Sequence, residues 1–363
     1  MRRILLVIHD LKGGGAERVF VNLANSLHKE KIVVEILLAE KTGIFLDHLN
    51  PQIQVYELGA KKMAGYLKSM FPFFRKRTYS HILSSGDSLT SSLLILKKLG
   101  VIRAKVVPAL VYNLLAYLPE IPYVNRKWLL FLYRTLICRV SVATAPSQGI
   151  ADSLENLELM SKSKVHIIYN PVVDDEMLAK GQEPVTEPLF NNGKQTLISI
   201  GRITSQKDHH TLVSAFDLLH KKGMQIQLII LGIGDMEKEL RQYITDLGLT
   251  NDVILLGFKE NPYAYLAKSD LFVLSSVFEG FGNVVAEALG MGINVVSTDC
   301  PSGPSEILEG GKCGWLCPVS NPQKLAEAIE DALANPKSAD FLKASSTRFH
   351  VDTISKQYMQ LLN

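Results

Sequence analysis

The sequence predicts an α/β protein of two doubly wound domains, each a parallel sheet covered by helices. Three observations carry this. Strand-sized apolar runs alternate with longer amphipathic stretches along the whole chain. The run GQEPVTEPLFNNGK at 181–194, rich in Pro, Gly and Asn, breaks the alternation, which then restarts. A length of 363 residues, 47% hydrophobic and 21% charged, suits two ordinary globular cores.

In the first domain, taken as 1–185, buried strands are expected at 4–8, 33–38, 53–58, 81–84, 106–111 and 140–143. Helices are expected at 16–28, 88–99 and 151–156; on the first, Val19, Phe20, Leu23, Ala24 and Leu27 fall at helical spacing. In the second domain, 186–344, strands are expected at 196–200, 225–231, 253–257, 271–275 and 294–297. Helices fill 208–222, 236–247, 261–267, 283–291 and 322–334, and a last helix covers 349–362. In open parallel sheets ligands bind beyond the carboxyl ends of the strands, so two such domains facing each other make a cleft there. The loops that follow strands are where chemistry is sought.

The N-terminus imitates a signal peptide, with Arg2 and Arg3 before an apolar run, but the run is short and ends in His9-Asp10. A buried first strand is the better reading. The charge-free stretch 106–119 contains Asn113 and two prolines and is too short to span a bilayer. A cytoplasmic protein resting on the inner face of the membrane is expected. Four cysteines, Cys138, Cys300, Cys313 and Cys317, are too scattered for a disulfide framework and complete no zinc site. No metal site and no cofactor are expected. The net charge of +3 hides a split: 1–180 carries 24 Lys/Arg against 15 Asp/Glu, and the remainder is acidic. The basic half suits an anionic partner.

The first loop of interest, Lys12 to Arg18, contains Gly13, Gly14 and Gly15 at a strand-to-helix junction, where free N–H groups can meet an anion. Arg18 stands where a dinucleotide fingerprint needs its third glycine. The second glycine loop, at 232–237, is broken by Glu237 and reads as a tight turn entering a helix. After the strand at 196–200 come Arg202 and Lys207, cations able to flank a pyrophosphate; the competing explanation is a surface salt bridge. Asp208 is placed to cap the next helix. The strongest segment is 278–287, with Glu279, Gly280, Phe281, Gly282, Asn283 and Glu287. Its glycines free main-chain groups at a helix mouth, and each carboxylate can hold two neighbouring hydroxyls, one set on a sugar and one on a ribose. Glu287 is flanked by Val285, Ala286, Ala288 and Leu289, so it sits on a largely buried helix where a carboxylate needs a partner. The loop 299–306 lines the same region or is simple turn chemistry. His209 and His210 read as capping or packing residues.

Together these motifs resemble glycosyltransferase family 4, whose members have the GT-B fold of two Rossmann-like domains. The likeness runs over nearly all of the chain: Gly-Gly-Ala-Glu-Arg at 14–18, Ala-Pro-Ser-Gln-Gly-Ile at 145–150, Asn-Pro-Val at 170–172, Ile-Gly-Arg-Ile-Thr-Ser-Gln-Lys at 200–207, and the Glu-x7-Glu pair Glu279 and Glu287. The resemblance implies that Arg202 and Lys207 hold the diphosphate, Glu279 binds sugar hydroxyls beside the 280–283 backbone, and Glu287 binds ribose. It further implies that Gly14 and Gly15 approach the phosphates from the other domain, and that 345–363 crosses back onto the first domain. One departure stands out. Tyr112, in Val111-Tyr112-Asn113, occupies the place where family members often carry a His. In a retaining front-face substitution the leaving diphosphate can itself take the acceptor's proton, so the change bears on acceptor positioning and rate.

The segment 61–77, KKMAGYLKSMFPFFRKR, mixes six Lys/Arg with aromatics and has no acid; 123–139 repeats the theme more weakly and could be core. Such mixtures suit an anionic membrane surface or a lipid diphosphate. No recognition motif points to nucleic acid. The expected activity is retaining, metal-independent transfer of a hexose or N-acetylhexosamine from a UDP-sugar to a lipid-linked saccharide in surface polysaccharide or glycan biosynthesis. The alternatives are a nucleotide-sugar epimerase of the same fold and a non-catalytic glycan-binding protein. An NAD-dependent enzyme is disfavoured by the broken glycine fingerprints.

Overall fold

A computed structural model describes residues 3–190 and 192–362. Arg2 of the N-terminal basic pair, Asn191 of the linker run and the final residue of the 345–363 segment lie outside the described residues. The chain divides into two compact units, the first running to Val172 and taking back the chain from Val351, the second Val173–His350.

The first unit is built on a parallel sheet of β1 (Arg3–Ile8), β2 (Val33–Leu38), β3 (Gln54–Glu57), β4 (His81–Ser84) and β5 (Lys105–Pro108), in the order β3-β2-β1-β4-β5. Leu5, Leu6 and Val7 are fully buried at its centre, as a strand covered on both faces requires. β5 ends at Pro108, short of the expected 111, because the chain then turns to a neighbouring pair of strands: Leu110 N–H donates to Thr144 O at 2.8 Å. That pair is β6 (Ala143–Ala145) and β7 (Val165–Ile167). β6 starts later than the expected 140–143 because Ile137–Arg139 forms a 3-10 turn ahead of it. Helices Met63–Arg75 and Tyr123–Thr135 occupy the two basic, aromatic segments. The first turns Tyr66, Met70 and Phe74 into the core, and Arg77 stacks over Tyr56 and Phe73 at 4.5 and 4.7 Å.

The second unit carries β8 (Gln195–Ile200), β9 (Ile226–Leu231), β10 (Val253–Gly257), β11 (Leu271–Leu274), β12 (Asn294–Thr298) and β13 (Trp315–Cys317), all parallel, in the order β10-β9-β8-β11-β12-β13. Phe216 from helix His209–Lys221 fills one side of the sheet, and Phe272 of β11 is likewise fully buried. The unit begins ahead of the 181–194 run because helix Asp175–Gly181 packs against helix Asn283–Met291. A Cβ on Gly181 would stand 3.0 Å from the Met291 methyl.

Each sheet has a switch point, where one strand sends its following chain to one side and its neighbour to the other. It lies between β1 and β4 in the first unit and between β8 and β11 in the second. Crevices open at the carboxyl ends of such strand pairs.

Candidate active site

At the second unit's switch point the loops after β8 and β11 are stitched together. Val277 N–H donates to Gln206 O at 2.8 Å, Gln206 Nε2 to Phe278 O at 2.9 Å, and Ser275 Oγ to Lys207 O at 2.7 Å. This frame sets Lys207 Nζ directly on Glu279 Oε1, an oxygen that also accepts from Ser276 Oγ at 2.7 Å. Glu279 is buried and the Lys207 side chain nearly so, which makes the pair a partly desolvated one. Such pairs are held by geometry, and losing one member leaves the other uncompensated. Arg202 is exposed, and its guanidinium makes no ion pair among the described residues. Lys207 folds back along Gly201, where a Cβ would come within 3.3 Å of its Cε. Arg202 and Lys207 thus stand on one loop with, among the described residues, one carboxylate paired to them, Glu279 on Lys207.

The loop at 232–236 explains its own glycines. It backs the Arg202 loop through Ile203 N–H to Ile233 O (3.1 Å) and Met236 N–H to Ile203 O (3.1 Å). A Cβ on Gly232 would lie 1.9 Å from Gly201 O, and one on Gly234 2.0 Å from Ile203 O. Close backbone approach therefore requires glycine at both, in keeping with a structural turn. The loop after β12 plays the same part for the β11 loop: a Cβ on Gly303 would sit 1.9 Å from Phe281 O, and Thr298 Oγ1 donates to Ser276 O at 2.6 Å.

Gly282 adopts a left-handed conformation (φ 92°) and opens helix Asn283–Met291. Asn283 is half-buried at its start, and Glu287 is buried further along it. The Phe281 ring packs edge-on against Phe349, 5.6 Å between centroids. Asp208 caps helix His209–Lys221, accepting from Thr211 N–H at 3.2 Å. His209 is buried, and burial, followed by the Lys207 charge, pushes its imidazole down to about 4, so it is neutral. Burial pushes the Cys300 and Cys317 thiols up to about 12. They are protonated and inert.

In the first unit, Gly13, Gly14 and Gly15 form an exposed turn at the switch point, with Gly13 at φ 127° and Gly15 opening helix Gly15–Lys29. A Cβ on Gly14 would lie 2.1 Å from Glu17 Oε2, so that carboxylate folds over the helix start. Across the switch point, helix Asp87–Lys98 begins directly after β4. The Tyr112 hydroxyl donates to one oxygen of Asp87, and the Tyr133 hydroxyl donates to the other at 3.0 Å. Burial raises the Asp87 carboxyl's pKa, against the two phenols that stabilise its charge. Tyr112 stands out in the sequence, whereas its neighbours in this cluster, Asp87 and Tyr133, do not. The available signal was Gly86-Asp87 at a strand-to-helix junction. Among the described residues no three His, Cys, Asp or Glu side chains converge as metal ligands, and no helix is long and apolar enough to cross a membrane.

Comparison with known proteins matches this architecture. The family described as Glycosyl transferases group 1 matches residues 183–348, and Glycosyltransferase Family 4 matches residues 13–176. An uncharacterised glycosyltransferase of Methanocaldococcus jannaschii is 40% identical over 40% of this chain and 37% of its own length. The N-acetylgalactosamine-N,N'-diacetylbacillosaminyl-diphospho-undecaprenol 4-alpha-N-acetylgalactosaminyltransferase of Campylobacter jejuni is 28% identical over 93% of this chain and 92% of its own. Among solved structures, Anabaena HepE in complex with UDP and glucose superimposes with a TM-score of 0.81 at 22% identity, covering 100% of this chain and 99% of that one. With one family match on each unit and a whole-chain likeness of fold, the chain is a glycosyltransferase of the GT-B fold and belongs to glycosyltransferase family 4.

Proposed function

We propose that this glycosyltransferase moves a hexose or N-acetylhexosamine from a UDP-linked donor to a lipid-linked saccharide, with retention at the anomeric carbon and without a metal ion. The setting is the assembly of surface polysaccharide or glycan at the inner face of the cell membrane. The observation that carries this reading is the Arg202 and Lys207 loop stitched to Glu279 at the switch point of the second sheet. The printed activity of the Campylobacter relative, on a diphospho-undecaprenol acceptor, supports the acceptor class, and the UDP bound by HepE supports the donor.

In this reading Lys207 and Arg202 hold the diphosphate, and Lys207 exchanges its Glu279 partner for phosphate oxygens. Glu279 is then free to take sugar hydroxyls, while Glu287 takes the ribose and the 280–283 main chain lies alongside. As the bond from the anomeric carbon to the diphosphate breaks, negative charge grows on the departing oxygen, where the fixed cations lower the barrier. The acceptor oxygen bonds to the anomeric carbon on the same face, and its proton passes to the departing phosphate oxygen. In the first unit, Gly14 and Gly15 are assigned to phosphate, and Tyr112, fixed by Asp87, to the acceptor.

The test is an incubation in EDTA of the protein with UDP-sugars and an undecaprenyl-diphosphate-linked saccharide in detergent, followed by mass and anomeric analysis. A product one sugar longer, with the donor's anomeric configuration, is expected. A rearranged or hydrolysed sugar nucleotide that needs no acceptor would make the protein an epimerase. Saccharide binding without nucleotide binding would make it a glycan-binding protein.

A further inference from the structure

Helix Tyr123–Thr135 has an apolar outer face. Its inner side, Leu129, Leu132 and Tyr133, is buried in the first unit. Yet Val124, Trp128 and Phe131 are 76%, 51% and 53% exposed. Positions 124, 128 and 131 fall on one stripe of a helix. Trp128 and Phe131 stack with centroids 5.5 Å apart and planes 22° apart, so they form one aromatic plate. Scattered exposed apolar residues are ordinary, but a contiguous patch marks an interaction surface.

The charge carried by the helix itself is of one sign. The helix carries Arg126, Lys127 and Arg134 and no acidic residue. Arg126 turns back to the carbonyls of Pro119 and Ile121. Lys127 and Arg134 are exposed, and helical periodicity sets both along one edge of the stripe. Lys127 Nζ lies 4.5 Å over the Tyr123 ring, which keeps that edge compact. The other basic, aromatic helix, Met63–Arg75, offers no comparable face, since its aromatic residues are packed inward and Phe71 alone among them is exposed.

We propose that the outer face of helix Tyr123–Thr135 is a membrane-docking surface for an anionic bilayer. Trp128 and Phe131 enter the boundary between headgroups and acyl chains, and Lys127 and Arg134 meet lipid phosphates. Charge complementarity selects this occupant. A second copy docked through the same face would set Lys127 and Arg134 against their own equivalents, whereas anionic lipid satisfies both. The proposal rests on the lipid-linked acceptor reading for its purpose, since such an acceptor is held in a bilayer.

The chain has two tryptophans, so Trp315→Phe leaves Trp128 as the sole reporter. With vesicles of phosphatidylcholine and phosphatidylglycerol, Trp128 emission shifts to the blue and the protein sediments with the vesicles; added salt or pure phosphatidylcholine abolishes both. In the unaltered background, Trp128→Ser with Phe131→Ser weakens vesicle binding by about tenfold or more and leaves UDP affinity unchanged. Sedimentation with no emission shift, or with no loss in the double variant, overturns this face as the docking site. Failure of the wild-type chain to bind anionic vesicles overturns it as well. A dimer that the double variant dissociates, seen by light scattering, makes the occupant a second copy and overturns the lipid assignment. UDP binding, measured on the same samples, reports separately on the donor reading.

Discussion

Lys207 and Glu279 neutralise each other, so among the described residues the unmatched positive charge of the loop after β8 rests on Arg202. Removing either cation should weaken UDP binding by the worth of a charged hydrogen bond, about 1.5–3 kcal/mol, or roughly 10- to 150-fold in Kd. Glu279→Ala releases Lys207 from its counter-ion, so turnover should fall far more than UDP affinity; calorimetry beside initial rates separates the two. In the first unit, Tyr112→Phe leaves Asp87 with one phenol, and thermal unfolding should register about 1–3 kcal/mol of lost stability while UDP affinity holds. His209 supplies a pH test. Its folded-state value of about 4 lies below the usual imidazole range, so between the two the unfolded chain holds the extra proton. That contribution is complete above about pH 6.5 and is lost as pH falls toward 4, on the order of 3 kcal/mol in all. His209→Phe should therefore flatten the fall in melting temperature between neutral pH and pH 5. That the loops after β8 and β11 carry Arg202, Lys207 and Glu279 was legible because each stands a few positions after an obvious strand. Asp87 was not: its partners lie 25 and 46 residues away, a separation that no local pattern encodes.

At the scale of elements, the 232–236 turn supports the Arg202 loop entirely through backbone. Gly234→Ala must push Ile203 aside, so it should weaken UDP binding without contacting nucleotide; Kd from calorimetry decides this, with circular dichroism to confirm folding. Strands β1, β2, β4, β8 and β9 were readable as short runs dominated by Ile, Leu and Val, the mark of a buried parallel sheet. β13 is three residues with Trp315 and Leu316 half-exposed, too short and too mixed to announce itself. Helix Met63–Arg75 was hidden by Pro72 inside it, and helix Tyr123–Thr135 by an outer face that is apolar where helical patterning expects polar residues.

At the scale of the molecule, the chain returns to its first unit at the end. Helix Val351–Leu361 packs against helix Gly15–Lys29, burying Ile354 completely and Tyr358 almost so. Ile354→Ala should cost the first unit about 2–5 kcal/mol, read by calorimetry as a lowered unfolding transition. The two-unit plan was legible because strand-helix alternation restarts after 181–194. The place where the chain leaves the first unit, Val172/Val173, was not, because it is fixed by helix Asp175–Gly181 docking onto the second unit. The family likeness concerns the whole molecule, but the chemistry we propose depends on two cations of one loop. The most direct measurement is calorimetric titration of UDP into the wild-type chain, Arg202→Ala and Lys207→Ala, each in EDTA. Wild-type binding that is indifferent to EDTA, weakened at least about tenfold in each variant, is the predicted result. Binding that required Mn²⁺, or that survived both substitutions unchanged, would contradict it.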